Sequence, residues 1–335
     1  MLTRIIHYAN KVFCLRSELG RVKETATQCN NRLSCTGLIV GCLMTMALCR
    51  LGSFNAVEKN KCKKVWRQLM GRKNKLCSAD TLGRRAATVT VDSARSLLLN
   101  VNRKMRRNKA LEPLRKGGYA AVVFDGHENG CSYLRDFGDS TCLEREITQK
   151  DGSKRTQYYQ RLVCAVLVCD GHTQILDMEM QLPAEGEIAA ALRLLERISL
   201  EYGHLFDVVL ADGLYAQAPF FKAVRKMNKH AIAVLKDERR DLTEDVRLLL
   251  PVIKPQSFNR GDNGKIKVLA WDIEELTTWK QVGQNVRVVR TEETRTIVRQ
   301  AHRKKTLLAN RRNHYCRVAM GHNIAYQSYS YRGFC

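Results

Sequence analysis

The chain has 335 residues, with 57 Lys and Arg against 33 Asp and Glu, a formal charge of +24, and 13 cysteines. That length allows a large buried core and two domains. The odd cysteine count, with no CxxC pair and no Cys/His set at zinc spacing, excludes a zinc module and fits a reducing, cytoplasmic setting.

The charge is unevenly spread. Residues 1–118 carry 25 basic against 6 acidic groups, residues 119–294 carry 23 against 27, and residues 295–335 carry 9 against none. Basic flanks around a slightly acidic middle point to a polyanion, nucleic acid, held through its phosphates. In chain order, residues 1–32 are polar and basic with weak periodicity and read as an N-terminal arm, either a frayed helix or an appended segment. Leu33 to Cys49 is 17 residues without a charge, at the short limit for crossing a bilayer. Flanked by Arg32 and Arg50, it predicts a buried helix, not a membrane span. Cys35, Cys42 and Cys49 recur on one face of it as small packing thiols. Ser53-Phe54-Asn55 is the expected cap of a helix from Ala56 to about Met70, which Gly71 ends. Ser78 caps a short helix with Asp80 in its first turn, and Asp92 is the expected cap of the next. Ala94, Leu97, Leu98, Val101 and Met105 line one face of that helix, with Lys104, Arg106 and Arg107 off it. Residues 33–118 thus read as a basic helical DNA-binding domain, with Arg84 and Arg85 as further phosphate contacts at a helix N-terminus.

The middle is organised by two stretches. Tyr119 to Glu128 reads YAAVVFDGHE, in which five apolar residues lead into Asp125 and Gly126. Phe206 to Tyr215 reads FDVVLADGLY, in which Val208 to Ala211 lead into Asp212 and Gly213, 212 − 125 = 87 residues later. Each is the pattern of a strand buried on both faces that delivers an acid to the sheet edge. A single Asp-Gly after a strand is only a turn. Two of them bring two hard oxygen donors to one edge, as a divalent cation requires. Tyr158–Asp170 and Thr173–Leu182 form a hairpin, and a helix with Ile188, Leu192, Leu195 and Ile198 as its stripe runs to Tyr202. After Asp212 come a helix opened by Pro219 and an apolar strand from Ala231. This order predicts a mixed α/β sheet with flanking helices over 119–241. Short strands around an Asp262-Asn263-Gly264 turn make 242–294 β-rich. Residues 295–335, without an acid and without a clear period, read as a poorly ordered basic tail.

The segments VVFDGHE, ERISLEYGHLFDVVLADGLYAQAPFFKAV and AIAVLKDERRDL resemble the DDE transposases of bacterial insertion sequences, in the insertion-sequence-four-like group. GSFNAVE and SADTLGR look like that group's helical N-terminal region, and the likeness covers roughly residues 33 to 297. The resemblance implies a ribonuclease H-like catalytic core interrupted by the β-rich insertion. It also implies Mg²⁺- or Mn²⁺-dependent cutting and joining of double-stranded DNA, a nucleoid-associated bacterial setting, and a homodimer on DNA. By it Asp125 and Asp212 are the first two catalytic acids and metal ligands. The group's third acid, a Glu on a helix beyond the insertion, has no counterpart, since no Asp or Glu follows Thr296. Glu274, in Trp271-Asp272-Ile273-Glu274, is the nearest substitute, and a frame interrupted near codon 300 is the expected cause. His127 and Glu128 follow the first Asp and either touch the scissile strand or, the commoner fate, are loop residues satisfied by solvent. Tyr215 either stacks on a base or, more commonly, packs in the core. Lys236 and Arg239 either hold phosphates or sit in a solvated basic turn.

Overall fold

The computed structural model describes residues 2–20, 36–59, 63–71, 77–86, 89–111, 119–134, 140–169, 172–236, 241–260, 266–300 and 306–320. The chain divides into two compact units, Met1–Gly117 and Gly118–Cys335.

The first unit is helical: α1 (Leu2–Val12), α2 (Leu15–Gly20), α3 (Thr36–Leu48), α4 (Phe54–Lys59), α5 (Lys63–Met70), α6 (Ala79–Ala86) and α7 (Val91–Arg107). Residues 2–20, for which the sequence leaves a frayed helix and an appended arm open, are two helices whose Ile6, Leu15 and Leu19 join the core of Leu38, Ile39, Cys42, Val57, Trp66, Leu69 and Leu82. These few apolar residues bury enough surface to dock an otherwise polar segment. Arg16 adds a polar tie: its Nε and Nη2 donate to the Leu69 and Gln68 carbonyls at 3.1 and 2.5 Å, groups that the end of α5 leaves open. Gly71 follows at φ +93°, the left-handed conformation that lets a helix stop without a Cβ clash.

Ser53 and Ser78 cap as expected, accepting from the Ala56 and Thr81 amides at 3.1 and 3.4 Å. Asp92 does not. Thr90 is the cap of α7, accepting from the Ser93 amide, while Asp92 lies in the first turn and pairs with Arg95 at 2.7 Å. α3 has 13 residues, about 20 Å at 1.5 Å per residue, short of the roughly 30 Å hydrocarbon core. Among the described residues no helix is long and apolar enough to cross a membrane. Cys42 is buried in the core and Cys49 half-buried; Cys35 lies outside the described residues.

The second unit runs β1 (Ala121–Ser132), β2 (Leu143–Thr148), β3 (Lys154–Cys169), β4 (His172–Met180), α8 (Glu187–Tyr202), β5 (Val208–Ala211), α9 (Ala218–Lys226), β6 (His230–Val234), α10 (Asp241–Leu249), β7 (Gln256–Arg260), β8 (Ile266–Leu276), β9 (Val286–Gln300) and β10 (Thr306–Met320). Among the described residues these strands form one mixed sheet in the order β2-β3-β1-β5-β6-β10-β9-β8-β7, with β4 also on β3. β1 pairs antiparallel with β3 and parallel with β5, and β5 is parallel to β6. The apolar runs explain this centre: Val122, Phe124, Val208 and Val209 are all buried, as strands covered on both faces must be. α8 packs on β3 and β4, and α9 on β6. The stripe of α8 is Ala190, Ala191, Leu194, Leu195, Ile198 and Tyr202. Ile188 and Leu192 are only half-buried. Arg193 and Arg197 fasten this helix to β4, Arg193 through Glu179 and Arg197 through Asp177 and Glu179, and Arg193 also pairs with Glu185 in the segment before the helix.

The region after Asp241 departs most from expectation. It opens with a helix, α10, and β7–β9 are not set apart from the core sheet. β10 pairs with β9 along its length and, at Arg317–Met320, with β6. Residues 306–320, expected within a poorly ordered tail, are therefore a sheet strand. Backbone pairing needs no apolar side-chain pattern, so composition did not signal it. Residues 321–335 lie outside the described residues.

Candidate active site

The sheet register brings the two Asp-Gly motifs together. In the parallel pairing of β1 with β5, Phe124 stands opposite Ala211, and the next residue on each chain is Asp125 and Asp212. Neighbouring strands are about 4.8 Å apart. β5 stops at Ala211, whereas β1 continues against β3 to Ser132. The ladder is thus interrupted where the acids emerge, and they share an open lip. Asp212 starts a 3-10 turn, Gly213–Tyr215; its Oδ1 accepts from the Leu214 amide at 2.9 Å. Its Oδ2 meets the Lys236 ammonium at 3.3 Å.

The electrostatics express the same closeness. The Asp125 carboxyl is held above the usual aspartate range, first by partial burial and then by the charge of Asp212; the Gly126 amide, His127 and Lys236 act in the opposite sense. A carboxyl whose proton affinity is raised by a neighbouring carboxylate marks a site that favours an added cation. Lys236, drawn to Asp212 and felt by Asp125, already partly answers that demand. The donor set therefore fits a divalent cation, with Asp125 and Asp212 as the residues that would hold it. Among the described residues no group of three or more His, Cys, Asp or Glu side chains is arranged to hold a metal.

The floor of the lip is aromatic. Phe124, immediately before Asp125, meets Phe220 edge-on at 5.7 Å, and Phe220 meets Tyr215 at 5.1 Å. Tyr215 is fully buried, which removes it as a base-stacking platform. Its hydroxyl donates to Glu187 Oε1 at 2.6 Å. Glu187 was not foreseen. Its sequence signal is slight: the sole acid in the first turn of α8, directly after Gly186.

Glu128 does not face a substrate. Its oxygens accept from Arg145 Nη1 and Nη2 at 2.9 and 2.7 Å, with Arg161 at 3.4 Å. Arg145 in turn binds Gln157 and lies over the Tyr159 ring. This fork holds β1 and β2 to β3, which pairs with both. The Arg145 hydrogen bond draws the Glu128 pKa below the ordinary range. A depressed folded pKa adds stability that is present above the unfolded value and lost as pH falls through the folded one. Glu128→Gln is therefore expected to cost about 1 kcal/mol at pH 7, with the difference closing in acid. Urea titrations at pH 7 and pH 3 check this.

Glu274 lies on β8, four strand positions from β5, or about 19 Å along the sheet. It is exposed and 3.3 Å from Arg287. The sheet does not bring it to the acid pair. Other predicted contacts are dispersed. Lys104 is paired at 2.7 Å with the buried Glu18, so its ammonium serves the helical core. The N-terminus of α6 is taken by Glu58, which accepts from the Ala79 amide at 2.8 Å. Ser78 bonds Thr81 there. Arg84 and Arg107 are exposed, Arg85 and Arg106 half-buried, and Arg239 lies outside the described residues. His127 is exposed on β1.

A family model described as a transposase DDE domain matches residues 137–313, which is more than half of the chain. The chain belongs to the DDE transposase family. The matched span includes Glu187, Asp212, Tyr215 and Lys236; Asp125 lies before it, and its tie to the pair is the strand register. The span also enters β10, past the position near 300 where the sequence suggests an interrupted frame. No curated protein matches the chain.

Proposed function

We propose that this chain is a DNA transposase of the insertion-sequence-four-like group, with a ribonuclease H-like core whose chemistry is done at Asp125 and Asp212. The parallel register that ends in these two aspartates carries the reading. These two residues would hold Mg²⁺ or Mn²⁺ through hard carboxylate oxygens. A divalent cation bound there supplies activation of the attacking oxygen and stabilisation of the departing one. Water breaks the phosphodiester at an element end, leaving a 5′-phosphate and a 3′-hydroxyl; that hydroxyl then attacks a phosphodiester of target DNA, joins to its phosphorus and expels the target strand's 3′-oxygen. Lys236, the cation beside Asp212, is suited to a DNA phosphate once Asp212 has another cation. The 25 basic groups of residues 1–118 suit double-stranded DNA, with exposed Arg84 and Arg107 as the leading phosphate contacts. Holding two ends together calls for a homodimer on DNA, and the work belongs in the bacterial cytoplasm at the nucleoid.

A second reading is a remnant that occupies element ends without cutting them. It is favoured by the absence of acids after Glu293 in the sequence and of a third ligand at the pair among the described residues. A strand-nicking assay with Mg²⁺ and element-end DNA separates the two. Transposase activity predicts nicking by the wild type and none by Asp125→Ala or Asp212→Ala. Retarded DNA without nicks selects the remnant, and equal nicking by all three removes the site assignment.

A further inference from the structure

Glu187 places a carboxyl group where an unpaired polar group is costly. Its side chain is only 9% exposed, and an ionised carboxylate so placed needs strong partners. It has them on both acid-bearing segments. Its Oε1 takes the Tyr215 hydroxyl at 2.6 Å, and Tyr215 closes the turn that Asp212 opens. Its carboxylate also rests against Gly126, the residue after Asp125, so closely that a Cβ there would overlap it. Only glycine permits that approach. On the outer side Arg161 Nη1 stands 3.7 Å from Oε2. Burial and the neighbouring charges of Glu187, Asp212 and Asp125 all oppose ionisation of the Tyr215 phenol, so it stays a donor.

We infer that Glu187 is a positioning residue: through Tyr215 and Gly126 it fixes the separation of the segments carrying Asp125 and Asp212 at the spacing that a shared divalent cation requires. This rests on the reading of the two aspartates as metal holders. Outer partners of metal ligands typically matter by ten- to a hundredfold in affinity. Because the contact is a hydrogen bond accepted by an oxygen, the amide of Gln preserves it, whereas a ligand role would need the charge.

The test is Mn²⁺ affinity, read by electron paramagnetic resonance titration of the full chain, with melting temperature recorded alongside. Tyr215→Phe, which keeps the ring, and Glu187→Ala are each expected to weaken Mn²⁺ binding about tenfold or more, while Glu187→Gln stays within about threefold of wild type. A lowered melting temperature in Tyr215→Phe with unchanged Mn²⁺ affinity makes the bond merely structural and overturns the inference, provided Asp125→Asn has lost the ion. Glu187→Gln as weak as Glu187→Ala overturns it too, because the carboxylate would then act by its charge. Wild type that binds no Mn²⁺, or Asp125→Asn that binds as well as wild type, removes the reading of the acid pair and this inference with it.

Discussion

Replacing either Asp125 or Asp212 by alanine is expected to weaken Mn²⁺ binding by more than about a hundredfold, since loss of a mere outer partner already costs up to that much. Isothermal titration of the full chain measures it. Asp125→Ala is expected to leave the unliganded fold no less stable, whereas Asp212→Ala gives up the cap of the Gly213–Tyr215 turn at about 1 kcal/mol. Asp125 has a folded pKa raised by burial and by Asp212. A raised carboxyl pKa means that the native state binds protons more readily, so stability falls as pH rises through that value. Removing the group at neutral pH relieves repulsion, by less than about 1 kcal/mol because the lip is open to water. Cation affinity should decline as pH drops through the raised Asp125 pKa, where protons compete for the same oxygens. Tight binding by both alanine variants would contradict the account. So would a large loss of fold stability, which would make the aspartates structural.

The second large effect lies beneath the pair. Phe220→Ala is expected to cost about 3–5 kcal/mol, the range for deleting a buried aromatic ring. Phe220 is 1% exposed and stands between Phe124, which precedes Asp125, and Tyr215, which closes the Asp212 turn. The cavity would open directly under both acid-bearing segments. Chemical denaturation gives the stability change, and the Mn²⁺ titration should weaken in parallel. A cost below about 1 kcal/mol would mean that the ring is not part of the support.

The centre of the second unit was legible because its strands are continuous apolar runs that end in charge. Val122 to Phe124 and Val208 to Ala211 have few other fates in a folded chain, and their shared ending in Asp-Gly anticipates the shared lip. What holds the lip was not legible. Glu187 meets Gly126 and Tyr215 across long stretches of chain, and nothing in its own neighbourhood of sequence distinguishes it from a solvated helix-start acid. The partners of Glu128 and Lys104 were hidden for the same reason. Glu128 reads as a solvated loop residue and Lys104 as a phosphate contact, yet each finds a partner, Arg145 and Glu18, that is close only after folding. Strand β10 escaped notice because its place depends on backbone groups of β6 and β9. For residues 2–20 the sequence leaves helix and arm open, because their docking depends on apolar side chains such as Ile6, Leu15 and Leu19 finding the core of the helices that follow.

The most direct measurement is anomalous diffraction from crystals of the full chain soaked in Mn²⁺. The account predicts a peak at the end of β1 and β5, coordinated by one or more oxygens from each of Asp125 and Asp212, with Lys236 displaced from Asp212. A lip without a peak, or an ion held by one aspartate while the other turns away, would contradict it.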